Sequence, residues 1–168
     1  MEDKLIISIL VNNCSGVLLR IAGLFSRRVF NISSIAASET EDSNYTRITI
    51  VTVANKDEFR QIQKQLLKLE DVKRVILLTQ ENSTAIELLL MKVNADESTR
   101  QNVLNTIVKY GARVRDIGST TMTVELTGFP MDIDRFVADM SAHGIAELAR
   151  TGVTALERGD NTIKLSEY

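Results

Sequence analysis

Cysteine, proline and histidine each occur once in these 168 residues, and tryptophan is missing altogether. A single cysteine, Cys14, cannot close an intramolecular disulfide and fits a reducing compartment. The single histidine, His143, has Gly144 after it and no cysteine or second histidine nearby; it reads as a helix-end surface residue and not as a metal ligand. Basic residues do not outnumber acidic ones, 20 against 22, and a pI near 5.5 leaves no positive field to gather nucleic acid or anionic lipid. No apolar run approaches the roughly 20 residues that cross a bilayer. The opening MEDKLIISILVNN carries two acids and lacks the form of a signal peptide, so the expected location is the cytosol. Gly16 and Gly23 do not have phosphate-loop spacing, and Ser119–Thr123 has no base beside it. Phosphate cradling and nucleophilic catalysis both drop out.

What the chain does have is one pattern, twice. Leu5–Val11 is short and β-branched, as a buried strand requires. Val17, Leu18, Ile21, Ala22 and Phe25 recur at three and four residues and stripe a helix. Asn31–Ser38 and Tyr45–Val53 read as strands across the turn-rich Glu39–Asn44, the second of them at least partly covered on both faces; the carboxylates of Glu39–Asp42 read as solvated loop charge. Asn55-Lys56-Asp57-Glu58 has the form of a capping box before a helix marked by Phe59, Ile62, Leu66 and Leu69. Val72–Leu78 completes the order βαββαβ.

After a polar linker, 80–85, the order returns. Ile86–Val93 is strand-like, and Val103, Leu104, Ile107 and Val108 stripe a helix that Ser98 and Gln101 are expected to cap. Strands follow at Arg113–Ile117 and Thr121–Thr127. Pro130 opens a helix striped by Ile133, Phe136, Val137 and Met140, with its exit at His143-Gly144 before the strand Ile145–Arg150. The fold class is α+β, two βαββαβ units at 1–79 and 86–168, with residues 153–168 an extension of no assigned structure. Each unit lies near the lower size limit for an adequate core, and open sheet edges predict pairing between units or between copies.

The most telling segment is the turn Asn12-Asn13-Cys14-Ser15-Gly16 between the first strand and the first helix. A helix start offers unpaired N–H groups and a partial positive charge, which suit a carboxylate. Asn side-chain oxygens suit an ammonium group, and Gly16 allows a ligand close to the backbone. The same residues also have a purely structural reading, as caps and a turn. Nothing here performs acid–base chemistry, so the turn reads as a holder of a small anion-bearing molecule.

Asn13-Cys14-Ser15-Gly16-Val17-Leu18, Arg20, Gly23-Leu24-Phe25, Arg28, Phe30-Asn31-Ile32 and Ser34 together resemble the N-terminal ACT-domain signature of acetolactate synthase (acetohydroxyacid synthase) small subunits. Glu87-Leu88, Met91-Lys92-Val93, Asp116-Ile117, Glu125, Thr127-Gly128 and the tail Glu147–Gly159 resemble the second half of the same family. The resemblance implies two ferredoxin-like units, an ACT domain for effector binding and dimerisation and a C-terminal ACT-like domain. It implies a non-catalytic regulatory subunit that activates a separate catalytic subunit and makes it sensitive to branched-chain amino acids, usually valine. Thiamine diphosphate, magnesium and FAD are then expected in the catalytic partner, with no cofactor or metal in this chain.

Carried over, the effector contacts are Asn13, Ser15, Gly16, Val17 and Leu18 from one copy and Asn31 and Ile32 from the other. Glu147, Arg150 and Arg158 are the candidates for contact with the catalytic subunit, with a structural closing strand as the competing reading. Two positions depart from the family pattern: Val29, where glycine is common, and Cys14, where an acid is common. A stand-alone amino-acid sensor is the alternative reading. An RNA-binding pair of the same strand order is disfavoured, since Leu5–Val11 carries no aromatic for base stacking.

Overall fold

In a computed structural model the chain is described over residues 3–27 and 30–165; Arg28 and Val29, and with them the glycine departure, lie outside the described residues. Contacts divide it into two units, one of residues up to Ala85 together with Val153 onward, the other Ile86–Gly152. The first contains β1 (Asp3–Asn12), α1 (Val17–Arg27), β2 (Ile32–Glu39), β3 (Tyr45–Ala54), α2 (Lys56–Leu66) and β4 (Val72–Leu78). Its antiparallel sheet has the order β2-β3-β1-β4, so the two central strands are first and third in sequence and β2 lies on an edge.

Alternation decides which side chains enter the core. Ile7, Ile9 and Val11 of β1 and Ile48 and Ile50 of β3 turn toward the helices and pack with Ile21, Phe25, Ile62 and Leu66. The expected double cover of β3 is present: Ile48, Thr49, Ile50, Val51 and Thr52 are all buried. Helix α2 begins with the anticipated capping box. The Asn55 side chain accepts from the N–H groups of Asp57 and Glu58, both at 3.0 Å, and Glu58 accepts from the Asn55 N–H at 2.7 Å.

The second unit contains most of β5 (Ser83–Asn94), α3 (Arg100–Tyr110), β6 (Arg113–Ile117), β7 (Thr121–Gly128), α4 (Pro130–Ser141) and β8 (Ile145–Arg150), with sheet order β6-β7-β5-β8. Leu89, Met91, Val93, Met122, Val124, Phe136 and Met140 form its core. The Phe136 ring meets Tyr110 edge-on at 5.2 Å between centroids. The start of α3 differs from expectation. Neither Ser98 nor Gln101 caps it; Asp96 accepts from the backbone and hydroxyl groups of both Ser98 and Thr99, a carboxylate being the stronger acceptor at a helix start. Gly144 follows α4 at φ +85°, a conformation glycine takes without strain.

The largest departure from the sequence reading concerns residues 153–165. Counted there with the second domain, they fold onto the first unit. Val153 and Ala155 join Val51 and Leu78 in a cluster on the face of the first sheet turned away from its helices, and Ile6, Ile76 and Ala85 pack against it. The Val153 N–H donates to Ser34 Oγ at 3.3 Å, and Arg74 donates to the carbonyls of Thr162 and Lys164. Residues Thr154–Glu157 form β9, which pairs with β5. A short segment with few apolar residues gives little periodic signal, and the reason for its docking lies in residues 6, 51 and 78, far away in sequence. The linker also shortens: β5 starts at Ser83, and Asn82 closes a turn by accepting from the Thr79 N–H at 2.6 Å.

Because one side chain satisfies two N–H groups at the start of α2, Asn55→Ala should cost about 1 kcal/mol in urea unfolding, and Asn55→Asp close to nothing. Equal stability of wild type and Asn55→Ala would remove the box from the energetics of α2.

Candidate functional site

The turn after β1 is pinned from two sides. The Asn12 N–H donates to Asp71 O at 2.9 Å, ahead of β4, and the Asn13 N–H donates to Asn44 O at 2.7 Å in the β2–β3 hairpin. The Asn13 amide does the same work. Its Nδ2 donates to Glu39 Oε1 at 2.9 Å and to Ser43 O at 3.0 Å, and its Oδ1 accepts from Thr46 Oγ1 at 3.0 Å. Both donors and one of the two acceptor positions of Asn13 are therefore committed within the chain. Its first role is to hold the turn against the hairpin.

Beyond Asn13 the backbone opens. Gly16 takes φ +82°, so a side chain there would strain the backbone, although the space is open: a Cβ would meet only the end of the Arg20 side chain, at 3.4 Å. The Arg20 N–H makes the first helical bond, to Gly16 O at 3.0 Å, and the Val17 N–H turns back to Cys14 O at 3.4 Å. Among the described residues no acceptor stands against the N–H groups of Ser15, Gly16, Leu18 or Leu19. Ser15 and Gly16 are exposed, whereas Val17 turns into the core. Leu18 is half-exposed, and Leu19 beside it is 77% exposed, an apolar side chain at the helix tip that the helical stripe does not include.

Cys14 does not stand alone. Its Sγ lies 3.3 Å from Asp71 Oδ1, and Arg20 forms an ion pair with the same carboxylate while passing 3.6 Å from the sulfur. The hydrogen bond to Asp71 holds the Cys14 thiol above its ordinary pKa, and Arg20 pulls weakly the other way. The Asp71 carboxyl is held below its usual range, first by the thiol and then by the guanidinium. At position 14 a thiol leans on an acid from the loop before β4.

Asn31 and Ile32 lie elsewhere. Asn31 is exposed, and its carbonyl accepts from Thr52 Oγ1 at 2.7 Å. Ile32 is half-buried against the first core. Strand register gives the distance between the two halves of the candidate site: Ile32 pairs with Thr52, and Thr52 with Leu5, whereas the turn begins at Asn12, which pairs with Tyr45. From Leu5 to Asn12 a strand rises about 23 Å. Within one chain the two segments stand at opposite ends of the sheet.

The residues considered for partner contact have partners of their own. Arg150 bridges two carboxylates, Glu87 and Asp134, the second at 2.7 Å, and the Glu87 side chain is only 3% exposed. Burial lowers the pKa of Arg150, and the two carboxylates more than offset it. Arg158 Nε donates to Ser83 O at 2.7 Å, and its N–H to Asn82 O at 2.8 Å, holding the returning segment to the turn before β5. Glu147 is exposed and stands 4.0 Å from Lys92. His143 is half-buried, with Nε2 3.3 Å from Thr106 Oγ1. Among the described residues there is no group of three or more His, Cys, Asp or Glu side chains placed to hold a metal, and no helix is long and apolar enough to cross a membrane.

Residues 7–74 match the family described as an AHAS small subunit-like ACT domain, and residues 86–159 the family described as the small subunit of acetolactate synthase. The acetolactate synthase small subunit of Mycolicibacterium smegmatis is 38% identical over 157 residues, which is 94% of this chain and 92% of that protein. The acetolactate synthase isozyme 3 small subunit of Salmonella typhimurium is 38% identical over 160 residues, 95% of this chain and 98% of that one. The crystal structure of the acetolactate synthase small subunit from Thermotoga maritima superposes with a TM-score of 0.85 at 31% identity, covering 95% of this chain and 99% of the other.

Two outcomes are expected from these contacts. At pH 8 Cys14 should react with iodoacetamide more slowly than an ordinary exposed cysteine. Asp71→Asn removes the group that raises its pKa and leaves Arg20 beside the sulfur, so alkylation should speed up; an unchanged or slower rate contradicts the assignment. Arg150→Ala leaves Glu87 buried without its counter-charge and should destabilise the protein by about 3 kcal/mol in urea unfolding, near the lower end for a broken buried pair because the arginine is partly exposed. A cost under about 1 kcal/mol would mean that the bridge is a surface pair.

Proposed function

The chain belongs to the acetolactate synthase small-subunit family, and on that premise we propose that paired copies of it sense a branched-chain amino acid, valine first, for a catalytic subunit bound to them. The chain is a regulatory partner and contains no catalytic domain. In this reading it works in the cytosol, and the thiamine diphosphate, magnesium and FAD of the pyruvate condensation belong to the catalytic subunit.

The observation that carries the effector reading is the separation of the two half-sites along an open edge. Strand β2 is paired only on its β3 side among the described residues, and Ile35 at its middle is 38% exposed. An edge strand of this kind is a template for a second strand. Antiparallel pairing of β2 with β2 of another copy, about a two-fold axis between Ile35 and Ala36, sets Ile32 of one copy opposite Glu39 of the other. Glu39 already accepts from Asn13. The same operation that closes the edge therefore brings Asn31 and Ile32 of each copy to the Asn13–Leu18 turn of its mate.

A zwitterion fits between them. The open N–H groups at Gly16 and Leu18 receive the carboxylate, and the Asn31 side chain with the remaining acceptor position of Asn13 receives the ammonium. Leu18 and Ile32 face the branched side chain. Hydrogen bonds to charged groups are worth roughly 1.5–3 kcal/mol each, so a few suffice for micromolar to millimolar sensing. Ligand held across two copies favours one arrangement of the pair, and a catalytic subunit that prefers another loses activity. Such coupling is typically about 1–3 kcal/mol, and binding of the catalytic subunit must change valine affinity by the same factor.

Ile35→Lys should convert dimer to monomer in sedimentation and abolish valine heat in calorimetry. Asn31→Ala should keep the dimer and lose most of the heat. A valine-binding monomer, or equal binding by wild type and Asn31→Ala, overturns the assignment. Reconstitution with the catalytic subunit, with and without valine, leucine and isoleucine, then identifies the effector.

A further inference from the structure

The face of the first sheet turned away from its helices carries a cleft of about 670 Å³ between the hairpin residues 40–45 and the returning residues 156–165, all within the first unit. Pockets for small molecules run roughly 300–1,000 Å³, largely apolar with a few polar groups fixing orientation. Leu10, Ile76, Leu156 and Ile163 supply apolar wall here.

Most of the charge in its lining is accounted for internally. Glu41 pairs with Lys164 at 2.7 Å, and Asp42 Oδ1 accepts from the backbone and side-chain N–H groups of Asn44 in the hairpin turn. Three lining charges have no ion partner among the described residues; Asp42 is exposed in the turn, and Arg47 and Glu157 are the two that are partly buried. Arg47 is half-buried, and its Nη1 donates only to neutral oxygens, Ser8 Oγ at 3.4 Å and Ala155 O at 3.2 Å. Among the described residues its Nε and Nη2 have no acceptor and no carboxylate comes within 4 Å. Burial pulls the Arg47 pKa down, and the carboxylates of Glu41 and Glu157 act on it only through space. Glu157 in turn makes no side-chain hydrogen bond or ion pair among the described residues. A half-buried cation and a neighbouring anion, both lining one apolar cleft and held short of pairing, leave desolvation uncompensated until something bridges them.

We propose that this cleft binds a small zwitterion with an apolar body, an aliphatic α-amino acid, through its carboxylate on Arg47 and its ammonium on Glu157, with the side chain against Leu10 and Ile76. The site is complete within one copy and does not rest on the paired-copy site proposed above. Its ligand is recognised by both ends at once. A carboxylate alone leaves Glu157 without a partner, and an amine alone leaves Arg47 so.

The test is a methyl-resolved NMR titration of the full chain with L-norleucine, hexanoate and hexylamine. Norleucine should shift the methyls of Leu10, Ile76, Leu156 and Ile163 saturably, and more tightly than either single-ended analogue. Arg47→Met and Glu157→Gln should each weaken it at least about tenfold, a loss of roughly 1.4 kcal/mol. Because Arg47 also holds Ala155, Glu157→Gln is the variant that separates recognition from anchoring of the returning segment. Ile35→Lys should leave these shifts in place while removing any at the methyls of Leu18 and Ile32, so that failure of one site is distinguishable from failure of the other. Absence of saturation at these methyls, hexanoate binding as tightly as norleucine, or wild-type affinity in Glu157→Gln overturns the proposal.

Discussion

The free edge of β2 is the constraint from which the proposed effector site follows. A strand paired on one side carries a row of backbone donors and acceptors that must meet water or another strand. The fixed register of β1, β2 and β3 then sets what lies at each end of that row, the Asn13 turn near Glu39 and Asn31 at the start of the strand. In the proposed site neither end binds alone. A two-fold operation along the edge would supply both ends twice, so in this proposal sensing and dimerisation reduce to one geometric condition.

The turn itself is held before any ligand arrives. Asn13 ties it to the hairpin, the Asn12 N–H ties it to the loop before β4, and Arg20 and Cys14 meet Asp71 from the helix side. Rigid support of this kind lowers the ordering cost of binding. In the proposed site Asn13 would then act chiefly as a positioning residue, its donors being engaged in the chain. A substitution there would disturb the alignment of the open N–H groups beyond Gly16 as well as any direct contact.

Much of this was legible in the residues. Periodicity located the strands and helices because both units bury one face of each element, and Asn55 with Glu58 marked the start of α2 by a local rule. Gly16 was legible for the same reason, since only glycine takes its φ without strain. What escaped depends on contacts between distant residues. Asp71 is 51 residues from Arg20, Glu39 is 26 from Asn13, and nothing local announces either pair. Arg150 enters as a candidate for partner contact through the family resemblance, and nothing near it in sequence announces that Glu87 and Asp134, on other elements, engage it within the chain. Residues 153–165 were assigned by adjacency in sequence, whereas apolar surface on the first sheet decides where they lie.

That return of the chain makes the second unit an insertion within the first. During synthesis the strands β1–β4 emerge early, yet Ile6, Val51 and Leu78 wait for a cover that is translated only after the whole of Ile86–Gly152. Until then the nascent first unit presents an apolar sheet face together with an open edge, the combination most prone to mispairing between neighbouring polypeptides. Completion of the early half is thereby timed by the late half, and a ribosome stalled within β5–β8 would carry an adhesive intermediate instead of a finished domain.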